Sequence, residues 1–275
     1  MAYDYDLIHV TVDDGVAVAT IDAPPMNVMT LALYLQLAGF CAEVASDDGV
    51  RVVVFRSADP DFFIAHFDVE AILQFPTEGD PVRETTPNPF HGMCEQVRTM
   101  PRATIAEIGG RVGGGGSEFA SSCDMRFGAI GRTIVTQMEV PLGILPGGTG
   151  TQRLPRLVGR GRAMEIILGS VEIDAETAER WGYLNRALPP GDLTAHVDEL
   201  ARRIAAFPAG AIALAKQSVL NAERLPLDEG LAEEAYLFQQ TLRDPEAQAA
   251  MRRFLELGGQ TREAELRVGD LVTDI

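Results

Sequence analysis

Lysine is almost missing from this chain: Lys216 is the only one in 275 residues, and the formal net charge is -17 at pH 7. Nucleic acid is therefore not expected as a partner, because releasing phosphate counterions takes clustered Lys and Arg, and the arginines here are scattered rather than striped. An anionic substrate would need local basic groups working against the overall field of the protein. Cysteine is scarce as well. Cys41, Cys94 and Cys123 are an odd, widely spaced set without a C-x-x-C pair, so neither a zinc site nor a disulfide framework is indicated, and no metal is expected. They read as buried, reduced thiols. No apolar run reaches the ~18 residues that span a bilayer, so no membrane partner is expected. The acidic start Met1–Asp6 lacks a basic n-region followed by an apolar h-region. No signal peptide is visible, and cytoplasmic residence is the default expectation.

What is present is enough for a sizeable core: 46% of residues are hydrophobic, which disfavours a disordered or fibrous chain. Ile8–Thr11 and Val16–Ile21 alternate apolar with polar around the turn Asp13-Asp14-Gly15, predicting a β-hairpin. Pro24-Pro25 stops the second strand. The pattern then predicts a helix over Leu31–Ala45 and a short buried strand over Val50–Phe55. Residues 76–90 carry four prolines and read as a polar loop, a lid or plain surface. A helix follows from about Phe90 to Thr99, then a strand over Thr104–Ile108. After the glycine run Gly113–Gly116, Glu118–Cys123 starts a short helix. Met125–Phe127 and Thr133–Thr136 read as strands, Gly159–Leu168 and Ala175–Trp181 as helices, and Leu184–Leu188 as an exit strand before Pro189-Pro190. From Leu193 the pattern turns wholly helical, over Leu193–Ala206, Ala209–Glu223, Leu227–Leu242 and Pro245–Leu257. The expected organisation is an α/β core over residues 1–190 that carries the site, and a helical region over 191–275.

The glycine run is the first candidate for chemistry. Residues without Cβ let a substrate approach the main chain, and the free N–H groups of a helix's first turn favour negative charge. That is oxyanion-hole geometry; a tight turn with close packing would use the same residues. The run is not a P-loop, since no Lys-Ser or Lys-Thr follows, and it does not meet G-x-G-x-x-G. Glu118 reads either as a helix-start charge or as an acid/base group. Glu139 lies in the mostly apolar stretch Val135–Gly143, where a charge needs a reason. Two carboxylates meeting across a dry pocket can divide acid and base roles. His66 reads as a packing or hydrogen-bonding residue, because no Ser-His-Asp triad or G-x-S-x-G elbow accompanies it.

Residues Ile105–Glu118 with Cys123-Asp124 resemble the first signature of the crotonase superfamily, the enoyl-CoA hydratases and isomerases. Pro146–Leu154, continuing through Gly159 to Ala163-Met164-Glu165, resembles the second. Ala175–Leu188 and Ala215-Lys216 also fit, so the likeness runs over roughly residues 8–255. It implies a crotonase-like spiral of ββα units with a C-terminal helical region that assembles trimers or hexamers. It further implies an acyl-CoA thioester substrate and no separate cofactor, coenzyme A entering as part of the substrate. The thioester oxygen would be held by the backbone N–H groups of Gly115 and Phe67, within a substrate-binding surface that includes Ala65, His66, Asp68 and Gly114. Glu118 and Glu139 fall on the two glutamate positions of the hydratases. One would activate water, and the other would exchange a proton at the α-carbon.

This sequence departs from the pattern at several places. His66 stands where the first oxyanion motif has glycine, and bulky Phe67 replaces a small residue. Asp22–Asn27 lacks the basic residue common before the Pro of the CoA-binding loop, and Phe254–Gly259 lacks the basic cluster that meets CoA phosphates. The resemblance thus implies hydration of a 2,3-double bond, or its reverse, with other reactions of the fold as the alternative: isomerisation, acyl-CoA hydrolysis, or CoA-independent cleavage of a β-diketone. A non-catalytic scaffold would make both glutamates accidents.

Overall fold

The computed structural model describes residues 3–83 and 85–275. The chain opens with the hairpin β1 (Ile8–Asp13) and β2 (Val16–Ile21), paired antiparallel around Asp14-Gly15, both at positive φ. Helix α1 (Leu31–Ala45) follows, capped by the Thr30 hydroxyl, which takes one of the N–H groups a helix start leaves unpaired.

Three similar turns come next: β3 (Val52–Ser57) and β4 (Phe62–Ile64) with α2 (Val69–Ile72) and α3 (Pro89–Thr99); β5 (Ala103–Ile108) and β6 (Arg111–Gly113) with α4 (Gly114–Ser122); β7 (Met125–Ala129) and β8 (Ile134–Thr136) with α5 (Gly150–Val158) and α6 (Arg160–Gly169). The first strand of each turn enters a six-stranded sheet of order β1-β2-β3-β5-β7-β10, and the second a four-stranded sheet of order β4-β6-β8-β9. The strand β9 (Ile173–Asp174), α7 (Ala175–Trp181) and β10 (Arg186–Leu188) complete the two sheets. The neighbours β2-β3-β5-β7-β10 and β4-β6-β8 are all parallel. This is the spiral of ββα units that the family resemblance implies.

Strand β3 shows why the sheet is buried on both faces. Val53 and Phe55 enter the larger core, with α1, α3 and α4, while Val52 and Val54 enter a second core beneath α8 (Leu193–Ala205). A strand covered on both faces reads as a continuous apolar run rather than an alternation, hence Val-Val-Val-Phe. Helix α8 is held there by Leu193, Val197, Ala201 and Ala205 and by Thr194, whose hydroxyl donates to Glu107 Oε1 at 2.6 Å. The remaining helices are α9 (Ala209–Asn221), α10 (Leu227–Arg243), α11 (Pro245–Glu256), α12 (Arg262–Glu265) and α13 (Val268–Leu271). Among the described residues no helix is long and apolar enough to cross a membrane. All three cysteines are free and buried, and burial pushes the Cys94 thiol up to about 12.

Two expectations need correcting. Helix α4 begins at Gly114, four residues before Glu118, so the glycine run is its first turn rather than a loop ahead of it. The exit strand is only Arg186–Leu188; Leu184 and Asn185 are turn residues, bonding back to Ala178 O and Arg126 O.

Candidate active site

The crossing from β6 into α4 places the glycine run against β4 and the residues that follow it. Gly114 has φ +45, the left-handed region where glycine is favoured, and a Cβ there would stand 3.0 Å from Glu139 Oε1 and 3.2 Å from His66 Cβ. A Cβ on Gly115 would stand 2.9 Å from Phe67 Cβ and 3.3 Å from Phe67 N. The two backbone positions expected to act together are therefore in van der Waals contact. Gly115 is in the first turn of α4, where N–H groups have no acceptor within the helix and no side chain caps them.

Phe67 forms a single parallel bridge with Met29. That bridge uses the flanking groups: Met29 N–H donates to His66 O at 2.8 Å, and Asp68 N–H to Met29 O at 3.1 Å. The Phe67 N–H consequently faces away from Met29. His66 holds the following peptide, Phe67–Asp68, with Nδ1 lying 2.8 Å from Phe67 O. A carbonyl oxygen can only accept, so Nδ1 carries the hydrogen, and in the neutral ring Nε2 is bare.

Glu118 lies beyond the first turn of α4, and its side chain leaves that helix altogether. Its Oε1 accepts the N–H groups of Gly148, Thr149 and Gly150 at 2.8, 2.9 and 2.7 Å. Those groups form the start of α5, with Thr149 at its cap, so the carboxylate binds a helix N-terminus as an anion does. The helix-start reading of Glu118 thus gives way: the dipole it meets belongs to α5. Burial pushes the Glu118 carboxyl above its ordinary value, while the three N–H groups pull it back. An oxygen accepting three N–H bonds has no room for a proton, so the titrating oxygen is Oε2. His91 secures the same turn, Nε2 donating to Gly147 O at 2.7 Å.

Glu139 precedes a short 3-10 turn, Val140–Leu142, and its Oε2 is buried without a hydrogen-bond partner among the described residues. Burial first, and the negative charge of Glu118 second, push its carboxyl from 4.5 up to about 7. Both glutamates, with His66, Phe67 and Gly115, line one cavity of about 630 Å³. Carboxyls that feel each other in this way titrate as a pair and favour holding one proton between them.

The other residues expected at the substrate lie outside the cavity lining. Ala65 turns its carbonyl oxygen to within 2.7 Å of the Gly113 Cβ position. Asp68 caps α2, accepting from Glu70 N–H, and Gly114 backs onto Glu139. Conversely, Tyr34, Phe90 and Met138 line the cavity without having drawn notice in the sequence. The turn Gly147–Gly150 carried a signal, a second glycine cluster ahead of a helix, but nothing in it pointed to Glu118. Among the described residues no three of His, Cys, Asp or Glu gather where they could hold a metal ion.

Residues 11–262 match the family model for enoyl-CoA hydratase/isomerase. A short-chain-enoyl-CoA hydratase of Clostridium acetobutylicum is 31% identical over 243 residues, covering 88% of this chain and 91% of that protein. The fatty acid oxidation complex subunit alpha of Shewanella baltica is 33% identical over 192 residues, 69% of this chain and 27% of that longer protein. The crystal structure of an enoyl-CoA hydratase from Bacillus anthracis superposes with a TM-score of 0.82 at 27% identity, covering 91% of this chain and 96% of that one.

Proposed function

The chain belongs to the enoyl-CoA hydratase/isomerase family, and from that premise we propose that it is a hydro-lyase adding water across the 2,3-double bond of an acyl-CoA thioester, or removing it. One observation carries the reading: two carboxyls share a cavity beside the Phe67 and Gly115 backbone, one anchored by three N–H groups and the other near neutrality in charge preference at pH 7.

In the hydration direction Glu118 Oε2 takes a proton from water as the water oxygen bonds to C3. The electron pair of the double bond moves to C2 and the thioester carbonyl, whose oxygen becomes enolate-like. The Phe67 and Gly115 N–H groups hold that oxygen, each such donor contributing ~3 kcal/mol to barrier lowering. Glu139 delivers its proton to C2. Hydroxyl is then on C3 and hydrogen on C2; Glu118 loses its proton and Glu139 regains one through solvent. The 2-enoyl-thioester absorbance should bleach with purified protein, and Glu118→Gln should abolish the bleaching. Protein inert on short, medium and aromatic 2-enoyl-CoAs would overturn the reading.

The cavity supports a second reading, because no Lys or Arg is among its described lining residues: C–C cleavage of a β-diketone that carries no CoA. Calorimetry with CoA and an acyl-CoA separates the two, since the second reading requires no affinity for either. Assembly into trimers or hexamers is supported by the apolar side chains left on α9 and α10, including Val219, Leu227 and Phe238, which are 71%, 79% and 61% exposed. A monomer in light scattering would refute it.

A further inference from the structure

Beyond the two carboxyls, His66 and Asn88, the side chains of the cavity wall are mostly hydrocarbon. Tyr34 and Phe90 stack with ring centroids 6.0 Å apart and 16° between planes. Phe67 meets Phe90 edge-on at 5.7 Å and Phe75 at 6.4 Å. These four rings line the same cavity, and they come from α1, from the segment of Phe67, from the loop after α2 and from the start of α3. The wall begins at the reacting centre. A Cβ on Gly148 would lie 2.3 Å from Glu118 Oε2 and 2.5 Å from Phe90 Cε1, so the Phe90 ring edge and the base oxygen rest on one glycine. Phe67 carries the oxyanion N–H on its own backbone. An acyl group with C1 at that N–H and C3 beside Glu118 must extend along Phe90 and Tyr34.

The mouth continues the same chemistry. Leu31, Phe75, Leu142, Ile144 and Leu145 line it while remaining 58%, 56%, 49%, 41% and 62% exposed. Large apolar side chains gathered at one opening mark a surface that an apolar ligand covers. A four-carbon acyl group ends one carbon past the site of water addition and leaves the rings facing water.

We propose that this site prefers substrates whose acyl group carries a bulky apolar tail, an aryl ring or a chain of about eight carbons, over a four-carbon acyl group. The assignment of C1 and C3 rests on the hydratase reading; the hydrocarbon wall does not. Each methylene buried against it raises affinity roughly fourfold, the ordinary transfer free energy of a CH2 expressed as a binding ratio.

The test has a catalytic and a binding arm. The catalytic arm compares kcat/KM for crotonyl-, 2-octenoyl- and cinnamoyl-CoA. The binding arm compares Kd for butyryl- and octanoyl-CoA, which have no double bond to hydrate, by calorimetry. The expected result is at least a tenfold advantage of octenoyl- or cinnamoyl-CoA over crotonyl-CoA, with octanoyl-CoA bound at least tenfold tighter than butyryl-CoA. In Phe90→Ala the octenoyl-to-crotonyl ratio should fall about tenfold. Octanoyl-CoA bound tighter but no enoyl-CoA hydrated would sink the hydratase reading and keep the preference. Equal or stronger binding of butyryl-CoA, or no affinity for either thioester, would overturn the preference itself.

Discussion

Glu107 and Asp124 lie where α8 and α9 meet the six-stranded sheet, and Glu118 and Glu139 face the cavity. All four carboxyls are pushed above their ordinary values by burial, which is the largest influence on each. They differ in what opposes it. Arg56 reaches Glu107 at 2.7 Å, and Lys216, the lone lysine, reaches Asp124 at 2.8 Å while also donating to Arg102 O at 2.8 Å. Among the described residues neither cavity glutamate has an arginine or lysine partner in an ion pair. Glu118 has chiefly backbone N–H groups, with His91 a lesser influence, and for Glu139 the second influence, the charge of Glu118, pushes the same way as burial. The seam carboxylates are neutralised and serve to dock helices. The cavity pair is left with its proton affinity shifted toward the range where acid/base exchange works at neutral pH.

Removing a cavity carboxyl tests that contrast most severely. Glu118→Gln and Glu139→Gln should each lower kcat/KM for hydration by about 10³-fold, with folding intact by circular dichroism. A loss under tenfold in both would put the chemistry elsewhere. At the seam the damage should be to stability instead. Asp124→Ala leaves Lys216 buried without its partner and should cost about 3 kcal/mol in urea denaturation; unchanged stability would erase the distinction.

The next effect is pH-dependent. Because the folded Glu139 carboxyl is raised from 4.5 to about 7, its contribution to stability is full below 4.5 and is lost as pH rises through 7. Glu139→Gln should therefore gain on wild type between pH 4.5 and 8, by up to about 3 kcal/mol. On the proposed mechanism Glu139 supplies the C2 proton, and the hydration rate should decline above pH 7. A flat stability difference would show that Glu139 is already solvated.

The smallest effect sharpens the oxyanion side. His66→Asn places an amide N–H near the position of Nδ1 and should stay within about twofold of wild type, whereas His66→Gln loses the hydrogen bond to Phe67 O that fixes this residue's carbonyl and should lose about five- to tenfold in kcat, the scale of one net hydrogen bond. Equal rates in the two variants would dissociate that hydrogen bond from catalysis.

The elements that were legible are those with a strong local signal. The hairpin, α1 and α7 match their expected spans at all but one boundary, because periodicity, turn residues and caps act within a few positions. Strands β4 and β9 have three and two residues, too short to show any period. Helix α4 starts earlier than its sequence pattern predicts, because glycine is among the poorest helix formers. What makes Gly114–Gly116 helical is close packing: a Cβ on Gly116 would collide with Ile64 O at 2.3 Å.

The candidate site divides along the same line. Glu118, Glu139 and Gly115 could be named from the sequence because the two glycine-rich signatures set their register, and Phe67 because it precedes Asp68 in the segment that resembles the first oxyanion motif. Tyr34 and Phe90 were not, since an aromatic on a helix face carries no mark of which cavity it enters. The net charge, the longer strands and most of the longer helices, and the chemical groups available were readable residue by residue, for they depend on composition and on neighbours along the chain; β4, β9 and α5 were not. That Glu118 binds the start of α5 thirty residues away, that Glu139 shares its cavity, and that four rings form one wall were decided only when the spiral closed. Burial and Coulomb interactions depend on distance in space, and the chain's own order does not contain it.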